Sequence, residues 1–578
     1  VAEIKELFQL VSKPGIQRDG TNLDSDVFCD GQWVRFQRGR PRKMGGFQQI
    51  TGRLRGPVRQ TLVWSRGLMN NLYAFSSGFI EMVSMDKNGL GGYVVDRTPA
   101  GFTVNPDHIW SVDTMYDDAA GSKGTIVVAV ATNALVNIDD ETTKQVYYGL
   151  ADQTSQFVPI TGLSVSGGVV CIDPYLVYFG SDGLVGWSDV NQPQTLSSGD
   201  AGFDRVTGAK VVKGLPIRSS SGPAALLWSL DSLIAMQWVG GSAIFRFTTI
   251  SSQTSILSQN SVIEYDGDYF WAGVDRFLVY SSGRVQELAN NSNQNWFFDN
   301  LNYEQRQKVW AMKVPRFGEI HWYFPFGDAT ECTHCVIYNV REKCWYDNAN
   351  PRAAGFYSQV FTKPVMIDSE SDKTYATVTL TVGSGTFSVG DNIVGVTSKV
   401  SFTLAETFGS NIFRCVLHDN TQTPTIGEGL SNLTSGGVGT CTDVTLNYSA
   451  YVHEKGYNKI VGEEETAIMS FFETADFGFP TGGAQPNQQE GLNRFTRLVR
   501  VEPDFNQVGD LTLNVIGREF PNGVDKISDD YVFSRATEKV DMREQRRLIR
   551  LRITSNSLDG NYEGGRTLLH LEPGDVRS

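Results

Sequence analysis

At least six times along the chain, an aromatic-rich apolar run of five to eight residues is followed by a polar or glycine turn and a second apolar run. Each such unit reads as paired strands. A lone unit buries little surface, so several must stack around a shared centre, and this restricts the chain to a few β architectures. The first unit is TLVWSRGLMNNLYAFSSGFIEMVS from Thr61. It is followed by IWSVD from Ile109 with TIVVAVATNALVNID from Thr125, and by VVCIDPYLVYFGSDGLVGWSD from Val169. The fourth, LLWSLDSLIAMQWVGGSAIFRF from Leu226, carries a glycine pair at its hairpin. The fifth and sixth start at Ser261 and Val309, the latter running through VWAMKVPRFGEIHWYFPF to CVIYNVREKCWYD. Units begin 35 to 60 residues apart, a spacing that brackets a four-stranded propeller blade of roughly 40 to 50 residues. The expected fold is an all-β propeller of six to eight blades; an irregular sandwich or two stacked β-domains are the competing arrangements.

Composition agrees with a mostly β chain. Of 578 residues, 40% are hydrophobic, 11% aromatic and 20% charged, with 59 glycines, which excludes disorder as the main state. Helical periodicity is confined to short pieces such as Ala2 to Val11. Seven cysteines make an odd count, and Cys171 sits within an apolar run, so a disulfide framework is not expected and folding in a reducing cytosol is. No charged segment followed by an apolar core opens the chain, and no apolar run reaches the 18 or so residues of a membrane span.

A net charge of −14 excludes a surface that grips nucleic acid throughout. One segment departs from this. Arg35, Arg38, Arg40, Arg42 and Lys43 place five cations in nine residues, where Pro41, Gly45 and Gly46 exclude a regular helix. The segment reads as a basic loop or arm. It is a candidate contact for phosphates or for an acidic neighbouring subunit, and otherwise a solvated or subunit-bridging stretch.

Texture divides the chain into residues 1–360, the main part of the propeller with an amino-terminal arm (1–50), then 375–447, then 448–578. Between Tyr375 and Asn447 the aromatic repeats give way to Thr, Ser, Gly and Val. Val378, Leu380 and Val382 alternate with Thr377, Thr379 and Thr381, as expected of a small inserted barrel or sandwich. Strand patterns resume from Ala467, Phe495, Leu511 and Leu548. These either complete the propeller or form an adjoining β-domain, and a blade joining strands from Trp33 to Phe47 with those after Leu548 is one way to close the ring.

Three separated stretches carry a resemblance. They are GIQRDGTNLDSDVFCDGQWVRFQRGRPRKMGGF (Gly15 to Phe47), VIYNVREKCWYDN from Val336, and LIRLRITSNSLDGNYEGGRTLLHLEPGDVRS from Leu548. Together they resemble the tail hub or nozzle proteins of short-tailed bacteriophages, also called packaged-DNA stabilisation proteins. The match extends over both ends and the central repeats and is weakest in the insert. The resemblance implies a virion protein, assembled in the host bacterial cytoplasm, whose copies, typically six, form a ring below the portal and adaptor. Such a ring would contact fibre or spike proteins, hold the packaged genome and conduct it during ejection. An acidic lumen would let DNA slide without sticking, and the basic cluster would then face neighbouring subunits, where Arg forks suit carboxylates.

Rival chemistries find weaker support in the residues. Propellers also host glycosidases, which need paired carboxylates. Asp266 and Asp268 in EYDGDYFW are the best pair, with Asp173 and Asp182 further candidates, but turn geometry explains aspartates there better. Cys332, His334, Cys335 and Cys344 lack the second paired set that a zinc site requires. No nucleophile elbow, phosphate loop or dinucleotide fingerprint occurs, so no cofactor, metal or catalysis is expected. A glycan-binding or glycan-hydrolysing tail protein is the alternative function. The insert offers only Phe387, Phe402, Phe408 and Phe413 as aromatic platforms.

Overall fold

The computed structural model describes residues 6–576 apart from 11, 24, 120, 219–221, 420 and 480–493. Six consecutive antiparallel sheets of four strands follow one another along the chain. Their first, innermost strands are Val58–Arg66, Ile109–Asp117, Gly168–Ile172, Val211–Pro216, Val262–Tyr265 and Trp310–Val314. The fourth of these, VVKGLP, precedes the Leu226 run, so blade four begins one strand earlier than the aromatic repeat suggests.

A seventh blade is assembled from distant parts of the chain. Arg352–Tyr357 pairs with Pro364–Asp368, which pairs with the last residues of the long strand Val438–His453, which in turn pairs with Phe47–Arg55. Arg352–Tyr357 also packs on Val58–Arg66 and on Trp310–Val314, so the ring of innermost strands closes through it. The protein is therefore a β-propeller with seven blades among the described residues. The expected closing blade is corrected in its partners. Arg40–Lys43 does pair with Asn561–Gly564, beyond Leu548, but in a sheet outside the ring.

Wedges of apolar side chains fill the spaces between blades. Tyr73, Phe75, Trp110 and Phe157 lie between blades one and two, and Phe277, Trp322, Phe324 and Trp345 between five and six. Buried indoles need a partner for their N–H, and several find it across a blade boundary. Trp110 donates to the Ser76 carbonyl at 2.7 Å, Trp322 to Ser261 at 2.9 Å and Trp310 to Arg352 at 3.0 Å. The aromatic residues that mark the repeat thus also join neighbouring blades.

The insert is a closed six-stranded barrel between the second and third strands of blade seven. Asp372–Ser384, Ile412–Leu417, Ser401–Gly409, Asn392–Gly395, Gly429–Asn432 and Val438–His453 pair in that order, and the last returns to the first. Its core holds Val378, Leu380, Ile393, Phe402, Leu404, Phe413 and Leu430, with Phe387 packed against it. Two of the four phenylalanines, Phe402 and Phe413, are therefore buried core.

Beyond the ring, strands from Ser470 to Val576 form a further β-domain that incorporates the amino-terminal segment. Asp30–Gln32 pairs with Ser470–Glu473, and Glu6–Gln9 with Leu568–Val576. The helical piece expected at Ala2–Val11 is a strand where it is described; Ala2–Lys5 and Val11 lie outside the described residues. This domain shares one core with blades six and seven, in which Phe28, Phe36 and Phe472 meet Trp310, Tyr323, Tyr346 and Tyr451.

Candidate functional site

The basic segment folds as a β-hairpin. Val34–Gln37 pairs with Arg40–Lys43, leaving Arg38 and Gly39 as a two-residue turn with φ of 52° and 73°. Two left-handed residues give a turn whose twist matches the flanking strands. The adjacent hairpin of blade six holds this turn, since the N–H groups of Arg38 and Gly39 donate to the Glu342 carboxylate at 2.6 and 3.1 Å.

The five cations have different environments, and the expectation of a single solvent-facing arm is corrected for two of them. Arg35 is 1% exposed. Its guanidinium pairs with Glu319 at 2.8 Å and Glu454 at 2.5 Å and lies 3.6 Å over the Phe317 ring. A guanidinium leaves water only where carboxylates and a ring face replace its hydration, and the fork geometry of Arg accommodates both carboxylates. Lys43 is likewise 1% exposed, its ammonium has no hydrogen-bond partner, and burial lowers its pKa to about 8. In register opposite Val34, it sits on the apolar side of the hairpin. Arg42 is half-buried and donates to Gln37 Oε1 at 2.9 Å. Arg38 and Arg40 are exposed, the latter 3.5 Å from Glu563. The outward charge of the segment is thus concentrated at its tip.

Glu319 anchors the buried side. Besides Arg35 it accepts from the Tyr346 hydroxyl at 2.7 Å and lies 3.0 Å from His321 Nε2. Burial alone would raise its pKa; Arg35, His321 and Tyr346 outweigh that and hold it at about 2. A second pair, in which the carboxylate is buried and the guanidinium partly exposed, lies upstream. Arg18 forks onto Asp347 with two bonds of 2.9 Å and reaches Asp30 at 2.7 Å, while Asp19 accepts from the N–H groups of Asn295 and Trp296 at the start of the helix Gln294–Asn300. Within the carboxy-terminal domain Arg550 meets Glu473 at 2.8 Å and Arg552 meets Glu473 at 2.5 Å, and Arg552 also lies 3.8 Å from Asp30 of the amino-terminal segment.

The three stretches quoted from the sequence therefore meet. Arg18 of the first grips Asp347 of the second, Asn339 and Asn348 of the second bond the backbone at Phe36 and Trp33, and Glu563 of the third lies beside Arg40. None of Arg18, Glu319, Asp347 or Glu454 is marked by the cation count. One signal was present: a carboxylate in the apolar strand CWYDN, which burial forces to find a cation.

Next to the hairpin tip a cleft of roughly 620 Å3 separates it from the carboxy-terminal domain, with Arg38, Arg40 and Arg566 at its polar edge and Phe28, Phe472 and Phe505 in its wall.

The remaining candidates lie elsewhere. Asp266 is an exposed turn residue with φ of 51°, Asp268 begins the next strand, Asp173 occupies another exposed turn, and Asp182 pairs with Arg205 at 3.0 Å. Cys332, Cys335 and Cys344 are buried among apolar side chains, and burial raises their thiol pKa values, that of Cys344 to about 12. His334 stacks on Phe326 at 4.3 Å. Among the described residues no three His, Cys, Asp or Glu side chains cluster as metal ligands, and no helix is long and apolar enough to cross a membrane.

No protein-family profile matches the chain, and no curated protein does. Among solved structures, it is similar to that of a candidate 6-phosphogluconolactonase from Bacteroides uniformis. The two share 10% identity over 64% of this chain and 94% of the other, with a TM-score of 0.33. A likeness at that level says nothing about activity.

Proposed function

We propose that the protein is a structural subunit of a short bacteriophage tail, a nozzle or hub component without catalytic chemistry, set as a homo-hexamer below portal and adaptor. In this role it would extend the DNA channel, retain the packaged genome, carry fibre or spike proteins and conduct DNA at ejection. The observation that carries this reading is the convergence of the three family-like stretches in one zone. There the amino-terminal segment is fastened to blade six through Arg18–Asp347 and Arg35–Glu319, pairs whose carboxylates are buried, and to the carboxy-terminal domain through the pairing of Asp30–Gln32 with Ser470–Glu473. Such pairs are costly to desolvate and leave uncompensated charge if one partner is lost, so they resist separation of the parts they join. A subunit under outward load from packed DNA needs its domains tied in this way. An acidic chain suits a conduit through which phosphate must slide. The exposed tip at Arg38 and Arg40 is the candidate contact with a neighbouring subunit.

Electron microscopy of the purified protein tests the reading. The expected result is a ring with an open centre, and the same protein in tails of phage particles. A species that stays monomeric at high concentration and never enters particles would overturn it.

A further inference from the structure

The cleft beside the hairpin tip combines a wall of Phe28, Phe472 and Phe505 with a rim of Arg38, Arg40 and Arg566 in roughly 620 Å3. Its charge is one-sided. Arg38 and Arg566 are exposed and enter no ion pair among the described residues, and Arg40 reaches Glu563 only at 3.5 Å. Asp504, the one carboxylate among the described lining residues, already accepts from the backbone N–H of Arg566 at 2.8 Å. An apolar wall under a cationic rim fits a group with an aromatic ring and a carboxylate beside it.

This chain presents such a group elsewhere. Phe203, 71% exposed, is the most exposed aromatic side chain among the described residues and lies on Gly202–Arg205, the outermost strand of blade three. Asp204 follows it, also exposed, and enters no ion pair among the described residues. From Ser188 to Asp204 the chain carries three aspartates and no cation. Single exposed apolar side chains are common, but the other prominent aromatics lack this setting. Tyr93 has Asp96 nearby in sequence, which Arg55 holds at 2.6 Å, and Phe520 follows Glu519, which lies 3.6 Å from Lys526.

Position decides how the two patches can meet. The carboxy-terminal domain shares its core with blades six and seven, and in a ring of seven blades the third lies opposite the boundary between those two. The patches are therefore on opposite flanks of one subunit and come together only between copies.

We propose that this cleft receives the Phe203–Asp204 edge of a second copy, with the phenyl ring on Phe472 and Phe505 and the carboxylate among Arg38, Arg40 and Arg566. A buried aromatic anchor ringed by charge is the kind of contact that dominates association. A small anion would satisfy the rim and leave Phe203 in water, whereas a second copy satisfies both. The contact is heterologous, so each copy offers one cleft and one edge. It deepens the proposed subunit role and rests on it for the association of copies.

The test follows the full chain by sedimentation velocity over a range of concentrations at about 50 mM salt. The parent should associate. Phe203→Ser, a change at an exposed position, should keep the parent's melting temperature and weaken association about tenfold or more. Asp204→Arg and Arg566→Asp should each weaken it, and the two combined should associate at least about threefold more tightly than either alone, because the exchanged charges again face each other. Association untouched by Phe203→Ser, or no recovery in the combined variant, would overturn the proposal and leave the subunit role standing. A parent that stays monomeric at every concentration would overturn both.

Discussion

At the residue scale, Arg35 shows how little a count of charges says about where they go. Its partners Glu319 and Glu454 lie 284 and 419 residues away in sequence, so in the linear chain it is one of five similar cations. Only the stacking of the hairpin against blade six separates it from Arg38, which remains in water. The expected consequence is a sharp difference between two substitutions. Arg35→Met strands two carboxylates and should cost about 3–5 kcal/mol, whereas Arg38→Glu should shift stability by no more than about 0.5 kcal/mol. Urea unfolding of the transition that includes blade six checks this. The effect should also depend on pH. The folded pKa of Glu319, about 2, lies below its ordinary 4.5. The carboxylate therefore adds stability that is complete above about 4.5 and is lost as pH falls toward 2. The gap between wild type and Arg35→Met should narrow as pH falls toward 2. A gap independent of pH would show that the ion pair is not its source.

At the scale of elements, six blades were legible because each is contiguous and its aromatic alternation is local. The seventh was not, since its strands come from residues 47–55, 352–368 and 450–453 and their pairing is set by ring closure rather than by neighbouring sequence. The barrel was legible as a change of texture, but not as an insertion within a blade, because the strand Val438–His453 runs without a break from barrel into ring. Its core draws on none of the side chains that fill the wedge between blades seven and one. Four ties link it to the closing strand and the residue that follows it: Arg53 to Glu406 at 3.1 Å, Arg414 to the Gly52 carbonyl at 3.4 Å, Asn447 Nδ2 to the Leu54 carbonyl at 3.4 Å, and the Gly56 N–H to the Leu446 carbonyl at 3.2 Å. The first is half-exposed and of the kind worth at most about 1 kcal/mol. Deleting Glu370–Asn447 and joining Ser369 to Tyr448 through Asn-Gly, a turn that suits a two-residue hairpin, should therefore leave the ring folded. The shortened protein should keep its near-ultraviolet circular dichroism and melt within a few degrees of the parent. Aggregation, or loss of the aromatic signal, would mean that the barrel supports the blade it interrupts.

At the scale of the whole molecule, the buried pairs and the exposed tip divide the basic segment between two tasks: Arg35 holds the subunit together, and Arg38 and Arg40 are left to meet something else. On a chain of net charge −14, a second copy presents mostly carboxylate to an approaching cation. On the proposed reading, association of the hairpin tip with a different patch of the next subunit would be heterologous, and such contacts close into a ring where the rotation between copies allows it. Complementary charges at the rim of a contact act chiefly on the rate of association and its salt dependence. The double variant Arg38→Glu, Arg40→Glu should therefore melt like the parent yet assemble poorly, and the defect should be greatest at low ionic strength, where repulsion is least screened. Light scattering coupled to gel filtration, at about 50 and about 500 mM salt, reads both effects. Rings that form equally well with the tip reversed would remove the hairpin from the interface. Since Arg35 would be untouched, that outcome would leave its role inside the subunit standing.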